Sequence, residues 1–126
     1  MQQAAFRLNN VGTILLGVKE LARSLAFYRD VLGMTVTMQF PGFAFFDAGG
    51  VTLALSEPLA RARPEMKESF EVVFPVVGVR EACEALRAQG VRFLREPWNA
   101  AGPNWAANFE DPDGHVLSLF GPERAA

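Results

Sequence analysis

The stretch Asn104–Phe120 reads NWAANFEDPDGHVLSLF and predicts two β-strands joined by a tight turn. The segment Asp111-Pro112-Asp113-Gly114 supplies the turn, because aspartate accepts local backbone hydrogen bonds, proline fixes φ and glycine tolerates a positive φ. After the turn, Val116, Ser118 and Phe120 alternate with two leucines, which defines two faces of the second strand. We expect the leucines to face a helix-covered core and Ser118 to face the opposite side.

An earlier segment repeats the second half of this hairpin. Residues 50–58 (GVTLALSEP) align without a gap with residues 114–122 (GHVLSLFGP), so that two leucines and a final proline match. Ala54 then corresponds to Ser118. An internal repeat of this kind indicates a fold built from two similar units.

The first unit, residues 11–57, predicts a strand over 11–18 and a helix over 21–32. Apolar residues recur at helical spacing in the second of these segments, and Gly33 suits the C-terminal cap of a helix. Three further strands are predicted over residues 34–39, 42–47 and 51–56.

The second unit, residues 70–122, repeats this order after a charged, proline-containing linker at 58–69 with a helical turn near 59–63. Its predicted elements are a strand over 70–77, a helix over 79–89 between Gly78 and Gly90, a strand over 91–95, a loop over 96–103 that carries Trp98, and the hairpin.

The composition limits the classes of function. With 126 residues, half of them hydrophobic, we expect a single domain over 1–126. The net charge of −2 and the absence of a basic stripe argue against a nucleic-acid partner, and no apolar run is long enough to cross a membrane. The single cysteine, Cys83, excludes an intrachain disulfide and fits a cytoplasmic location.

These segments resemble the vicinal-oxygen-chelate superfamily, which includes glyoxalase I, extradiol dioxygenases, methylmalonyl-CoA epimerase and the fosfomycin and bleomycin resistance proteins. Residues 18–34 (VKELARSLAFYRDVLGM) and 109–117 (FEDPDGHVL) are specific in combination, and with residues 72–93 they cover almost the whole chain. The resemblance implies an α+β fold of two tandem βαβββ modules, whose sheets form a cupped cleft with the helices outside. It also implies a homodimer.

In metal-using members, ligands project into the cleft from the first and last strand of each module. The repeat places these four positions at Thr13, Ala54, Glu71 and Ser118. Only Glu71 is a good ligand, whereas a divalent metal site needs two to four histidine, carboxylate or cysteine groups. We therefore expect no metal cofactor; the alternative is a divalent ion at a poor site that other residues complete.

Glu71 is predicted to point into the cleft, where an unpaired carboxylate is costly. One interpretation is that it anchors a cationic or hydrogen-bond-donating ligand, or acts as a catalytic base if desolvation raises its pKa. The other is that it only reaches water, or pairs with Arg7 or Arg95.

Strand parity places Asn104 and Asn108 on the substrate-facing side, as neutral donors and acceptors that orient a polar ligand. Phe45 is a candidate wall of the cleft, although plain core packing explains it equally well. Trp98 is a candidate lid or interface anchor.

The remaining reactive side chains carry no predicted chemistry. His115 is expected at the turn or the surface, facing away from the cleft. Cys83 lies on the apolar stripe of a helix, where a buried and inert thiol is expected.

Two functional hypotheses follow. The first is a metal-free protein that binds an apolar or aromatic small molecule. The second is a glyoxalase I-like lyase or dioxygenase-type enzyme, which uses a divalent metal or Glu71 as a base. Elemental analysis of the protein distinguishes them.

Overall fold

The computed structural model describes residues 10–62 and 71–124, and its elements follow the predicted order. The first module contains β1 (Thr13–Gly17), α1 (Leu21–Ala26), a π-helical turn (Phe27–Val31), β2 (Thr35–Phe40), β3 (Phe43–Asp47) and β4 (Thr52–Ser56). After α2 (Glu57–Ala62), the second module contains β5 (Glu71–Pro75), α3 (Val79–Ala88), β6 (Arg92–Ala101), β7 (Asn104–Glu110) and β8 (Val116–Pro122). Arg7, most of the predicted linker and Phe70 lie outside the described residues.

Both modules form a four-stranded mixed sheet with the same strand order. The orders are β1-β4-β3-β2 and β5-β8-β7-β6. In each sheet the first strand runs parallel to the last, and the other neighbours are antiparallel. The predicted α+β fold of two βαβββ units is therefore confirmed, and the sequence repeat is also a structural one.

One face of each sheet packs against helices in a hydrophobic core to which both modules contribute. Leu16, Phe46 and Leu53 from the first module belong to the same buried cluster as Phe109 and Leu117 from the second. Full burial of such a side chain contributes about 1.5–3 kcal/mol. Within the described residues, the opposite face of each sheet carries exposed side chains. The helix α2 covers the end of this face at β1, where a Cβ on Gly17 would lie 2.9 Å from Ala60.

The predicted helix over 21–32 changes geometry after Ala26. The amide of Leu32 donates to the carbonyl of Phe27, five residues back, at 3.0 Å. This wider turn contains Tyr28, whose side chain is fully buried. Gly33 then ends the helix with a φ of +77°, as the sequence predicted.

The prediction that Trp98 lies on a loop over 96–103 is wrong, because β6 extends from Arg92 to Ala101 and includes it. The strand continues through register shifts after Phe93, Arg95 and Asn99. Such bulges break the alternation of apolar and polar residues. A proline is also tolerated on an edge strand, so Pro97 does not end the strand.

Candidate functional site

The sheet faces opposite the helices carry exposed apolar side chains. We call the face of β1-β4-β3-β2 the first open face and that of β5-β8-β7-β6 the second open face. Leu15 and Phe40 on the first are 42% and 50% exposed, and Val73 and Phe120 on the second are 50% and 37% exposed. Apolar residues that share one face mark a surface suited to a partner or a ligand.

The strand register places the four positions derived from the repeat in two pairs. Thr13 lies two residues from the cross-strand partner of Ala54, and Glu71 stands in the same relation to Ser118. Each pair therefore shares one open face. The two pairs lie on separate sheets, and no hydrogen bond within 10–62 and 71–124 connects them.

Three of the predicted residues meet on the second open face. The Asn108 amide Nδ2 donates to Ser118 Oγ at 2.6 Å, and Ser118 Oγ donates to Glu71 Oε2 at 2.8 Å. The distance from Asn108 Nδ2 to Glu71 Oε2 is 3.4 Å. The Ser118 side chain is buried, whereas Glu71 is exposed, so the chain of hydrogen bonds ends in an accessible carboxylate.

Aromatic rings gather on the first open face. Phe45 lies opposite Ala54 across the strand pair, which places it on this face. Its ring centroid is 6.3 Å from that of Phe43 in a stacked arrangement and 6.0 Å from that of Phe40 edge-on. Such pairs supply a rigid apolar wall.

The two other predicted residues of the second module lie apart from the hydrogen-bonded group. Asn104 is half-buried at the start of β7, four residues from Asn108. Trp98 is half-buried on β6, opposite Ala106, and the guanidinium of Arg95 stacks over its ring at 3.6 Å from the centroid.

A family model described as Glyoxalase/Bleomycin resistance protein/Dioxygenase superfamily matches residues 10–119. The chain belongs to this superfamily. It is 35% identical over 115 residues to metallothiol transferase FosB of Staphylococcus epidermidis, an alignment that covers 89% of this chain and 83% of the relative. It is 32% identical over 118 residues to lactoylglutathione lyase of Salmonella typhimurium, which covers 84% and 87% respectively.

A solved structure shares this superfamily fold. The glyoxalase/bleomycin resistance protein/dioxygenase from Nocardioides matches with a TM-score of 0.77 and 25% sequence identity, over 97% of this chain and 89% of that one. The match extends across both modules, so the fold is that of the superfamily.

The donors at the four equivalent positions do not fit the divalent metal that the name of one relative implies. They comprise one carboxylate, two hydroxyls and a methyl group, and the Ser118 hydroxyl already bonds to Glu71 and Asn108. No group of three histidine, cysteine, aspartate or glutamate side chains in the described part of the chain could hold a metal ion. This superfamily member therefore departs from a metal-binding pattern at these positions.

The Asp-Pro-Asp-Gly turn has a second role that the sequence analysis missed. Asp113 accepts hydrogen bonds from the backbone N–H of Lys19 at 2.9 Å and from Ser24 Oγ at 3.0 Å. Arg23 also reaches this carboxylate, with Nη2 at 3.3 Å from Oδ1. A turn aspartate of module two thus anchors the first helix of module one.

His115 lies at the turn, which is one of the two expected placements, and it is buried rather than at the surface. Its Nδ1 lies 2.7 Å from Asp111 Oδ2, and its backbone N–H donates to Asp111 Oδ1 at 2.8 Å. Burial alone raises the pKa of Asp111, but the hydrogen bonds and charge of His115, with the Tyr28 hydroxyl, hold that pKa below its usual value. His115 thus holds Asp111, which accepts the hydrogen bond from Tyr28 of the first module.

Proposed function

We propose that this chain is a metal-free small-molecule-binding protein of the glyoxalase/bleomycin resistance type, which binds an apolar or aromatic ligand in the cleft that the open faces line. The observation that carries the proposal is the carboxylate of Glu71, held by Ser118 on a face that also presents Val73 and Phe120. Pockets with an apolar lining and a few placed polar groups are typical of small-molecule sites.

The hydrogen bonds among Glu71, Asn108 and Ser118 leave acceptor atoms that indicate which donor a ligand should present. Both described bonds of Glu71 use Oε2, and both described bonds of Asn108 use Nδ2. The Oε1 of Glu71 and the Oδ1 of Asn108 remain as acceptors, so a protonated amine or another strong donor fits this position.

The binding role of Glu71 is tested with 4-(aminomethyl)biphenyl as a probe. We expect Glu71→Gln to weaken its binding about tenfold, because a hydrogen bond to a charged group contributes about 1.5–3 kcal/mol. Glu84→Gln is the matched control, since Glu84 is exposed on α3 and the charge change is the same. Equal affinities of the two variants, measured by calorimetry, would refute the anchoring role.

The enzyme hypothesis is the alternative, and it is favoured by the relatives named as a transferase and a lyase. Elemental analysis of untagged protein tests it, followed by an assay with the hemithioacetal of methylglyoxal and glutathione. We expect substoichiometric Ni, Zn, Fe and Mn and no turnover after any of these ions is added. A bound metal near one equivalent, with turnover, would establish the lyase instead.

We also propose that the protein is a homodimer. Among the described strands, β1 pairs only with β4 and β5 only with β8, so each of these strands has one unpaired edge. Leu15 and Val73 on these strands are about half exposed. A second copy that covers these edges would remove unpaired backbone groups from water. Light scattering after size exclusion tests this, with a mass near twice 13.8 kDa expected.

A further inference from the structure

The second open face carries opposite charges on its two sides. Ser118 of β8 pairs with Asn108 of β7, and Asn108 pairs with Arg95 of β6, so these residues form one row across the sheet. Directly opposed residues have Cβ atoms about 4.5–5.5 Å apart and point to the same side. Arg95 therefore shares a face with the carboxylate of Glu71, which bonds to Ser118 at the other end of the row.

The Arg95 side chain is held in place without neutralising its charge. Its guanidinium stacks on Trp98, at 3.6 Å from the ring centroid. Within residues 10–62 and 71–124, no carboxylate lies within salt-bridge distance of it, whereas Arg92 on the same strand pairs with Glu110 at 3.3 Å. Stacking orients a guanidinium and leaves its planar N–H edge available for a carboxylate.

An apolar row lies beside the polar one. Trp98 pairs with Ala106, Ala106 with Phe120, and Phe120 with Pro75. The guanidinium of Arg95 extends toward this row, three residues along β6, so its separation from the Glu71 carboxylate is on the order of 10 Å. The face thus presents an acceptor, an apolar strip and a cation in succession.

We propose that the ligand of this face is amphoteric, with an amine that binds Glu71, a carboxylate that binds Arg95, and a flat apolar body that lies along Trp98 and Phe120. This inference rests on the proposed small-molecule-binding function and specifies the ligand class. Arg95 contributes specificity because a ligand without an acidic group would leave the stacked cation unpaired.

Four rigid probes separate the two ends of the site: 4′-(aminomethyl)biphenyl-4-carboxylate, 4-(aminomethyl)biphenyl, biphenyl-4-carboxylate and biphenyl-4-methanol. We expect the amphoteric probe to bind most tightly, at least about tenfold better than either singly charged probe. Arg95→Gln should remove the gain from the carboxylate and leave the amine-only probe unchanged. Glu71→Gln should remove the gain from the amine and leave the binding of the carboxylate-only probe unchanged.

Arg29→Gln is the control for charge, since Arg29 is exposed on the π-helical turn outside the core. Circular dichroism verifies that Arg95→Gln, at an exposed position, retains the fold. If the amine-only probe binds as tightly as the amphoteric one, or Arg95→Gln weakens both equally, the amphoteric class is wrong while small-molecule binding stands. If none of the four probes binds at millimolar concentration, this inference is wrong. The proposed small-molecule-binding function is then tested separately with ligands of other classes.

Discussion

The phenolic hydroxyl of Tyr28 donates a 2.8 Å hydrogen bond to Asp111 Oδ2, and so joins the π-helical turn of the first module to the β7–β8 turn of the second. Both residues are buried. Burial, with the adjacent negative charge of Asp111, raises the pKa of Tyr28 well above its ordinary value. The hydroxyl therefore stays protonated and remains a donor across the physiological pH range.

Replacement of Tyr28 by phenylalanine should lower the free energy of unfolding by about 1–3 kcal/mol, because Asp111 loses a buried charge-assisted donor while the ring still fills its space. Urea denaturation measures this. Thr37→Val removes an exposed hydroxyl, which donates to the carbonyl of Phe45 at 3.2 Å, and should change stability by less than about 0.5 kcal/mol. A similar loss in both variants would contradict a role for the contact between modules.

Stability should fall at acidic pH through Asp111. The pKa of this carboxyl is lowered in the fold, so its stabilising contribution is fully present above the unfolded value of about 3.9. The contribution is lost as the pH falls through the lower folded value. Asp111→Asn should therefore be less stable at pH 5, and its stability should change less between pH 5 and 2.5 than that of the parent. Asp47→Asn, at the exposed end of β3, is the control for the loss of one carboxylate.

Gly121 lies in β8 where only a residue without a side chain fits. A Cβ at this position would lie 1.8 Å from the carbonyl oxygen of Val76. Gly121→Ala should destabilise the protein by about 3 kcal/mol, since overpacking displaces the backbone. Gly12→Ala is the control because nothing lies within 4 Å of its added Cβ. Thermal unfolding of the two variants measures the difference in stability. Equal midpoints would contradict the close approach of position 121 to the backbone of Val76.

Local sequence chemistry predicted much of the fold. Gly33, Gly78 and Gly90 all adopt positive φ where the pattern placed helix ends. The repeat that matched Ala54 to Ser118 has a structural counterpart, because β1 pairs with β4 and β5 pairs with β8 in the same parallel arrangement. Because successive side chains of a strand point to opposite faces of the sheet, the sequence also placed Asn108 and Ser118 on the same face.

Long-range partners were not predictable in the same way. Asp111 and Asp113 have the sequence of an ordinary turn, and nothing nearby shows that they bind a helix about ninety residues away. Bulges conceal the strand that carries Trp98, because each extra residue reverses the alternation of faces. The stack of Arg95 on Trp98 depends on these bulges and was therefore missed. The role of Glu71 as anchor or catalytic base stays a prediction.

Cys83 should react slowly with alkylating reagents in the folded protein. Its side chain is fully buried on α3, and burial raises the pKa of the thiol to about 11. At pH 8 about one molecule in a thousand would carry the reactive thiolate, compared with roughly a quarter in the unfolded chain. Iodoacetamide labelling followed by mass spectrometry is unambiguous, because the chain has one cysteine. Labelling at pH 8 should be at least about a hundredfold faster in urea than in the folded protein. Equal rates would show that α3 separates readily from the core and exposes Cys83.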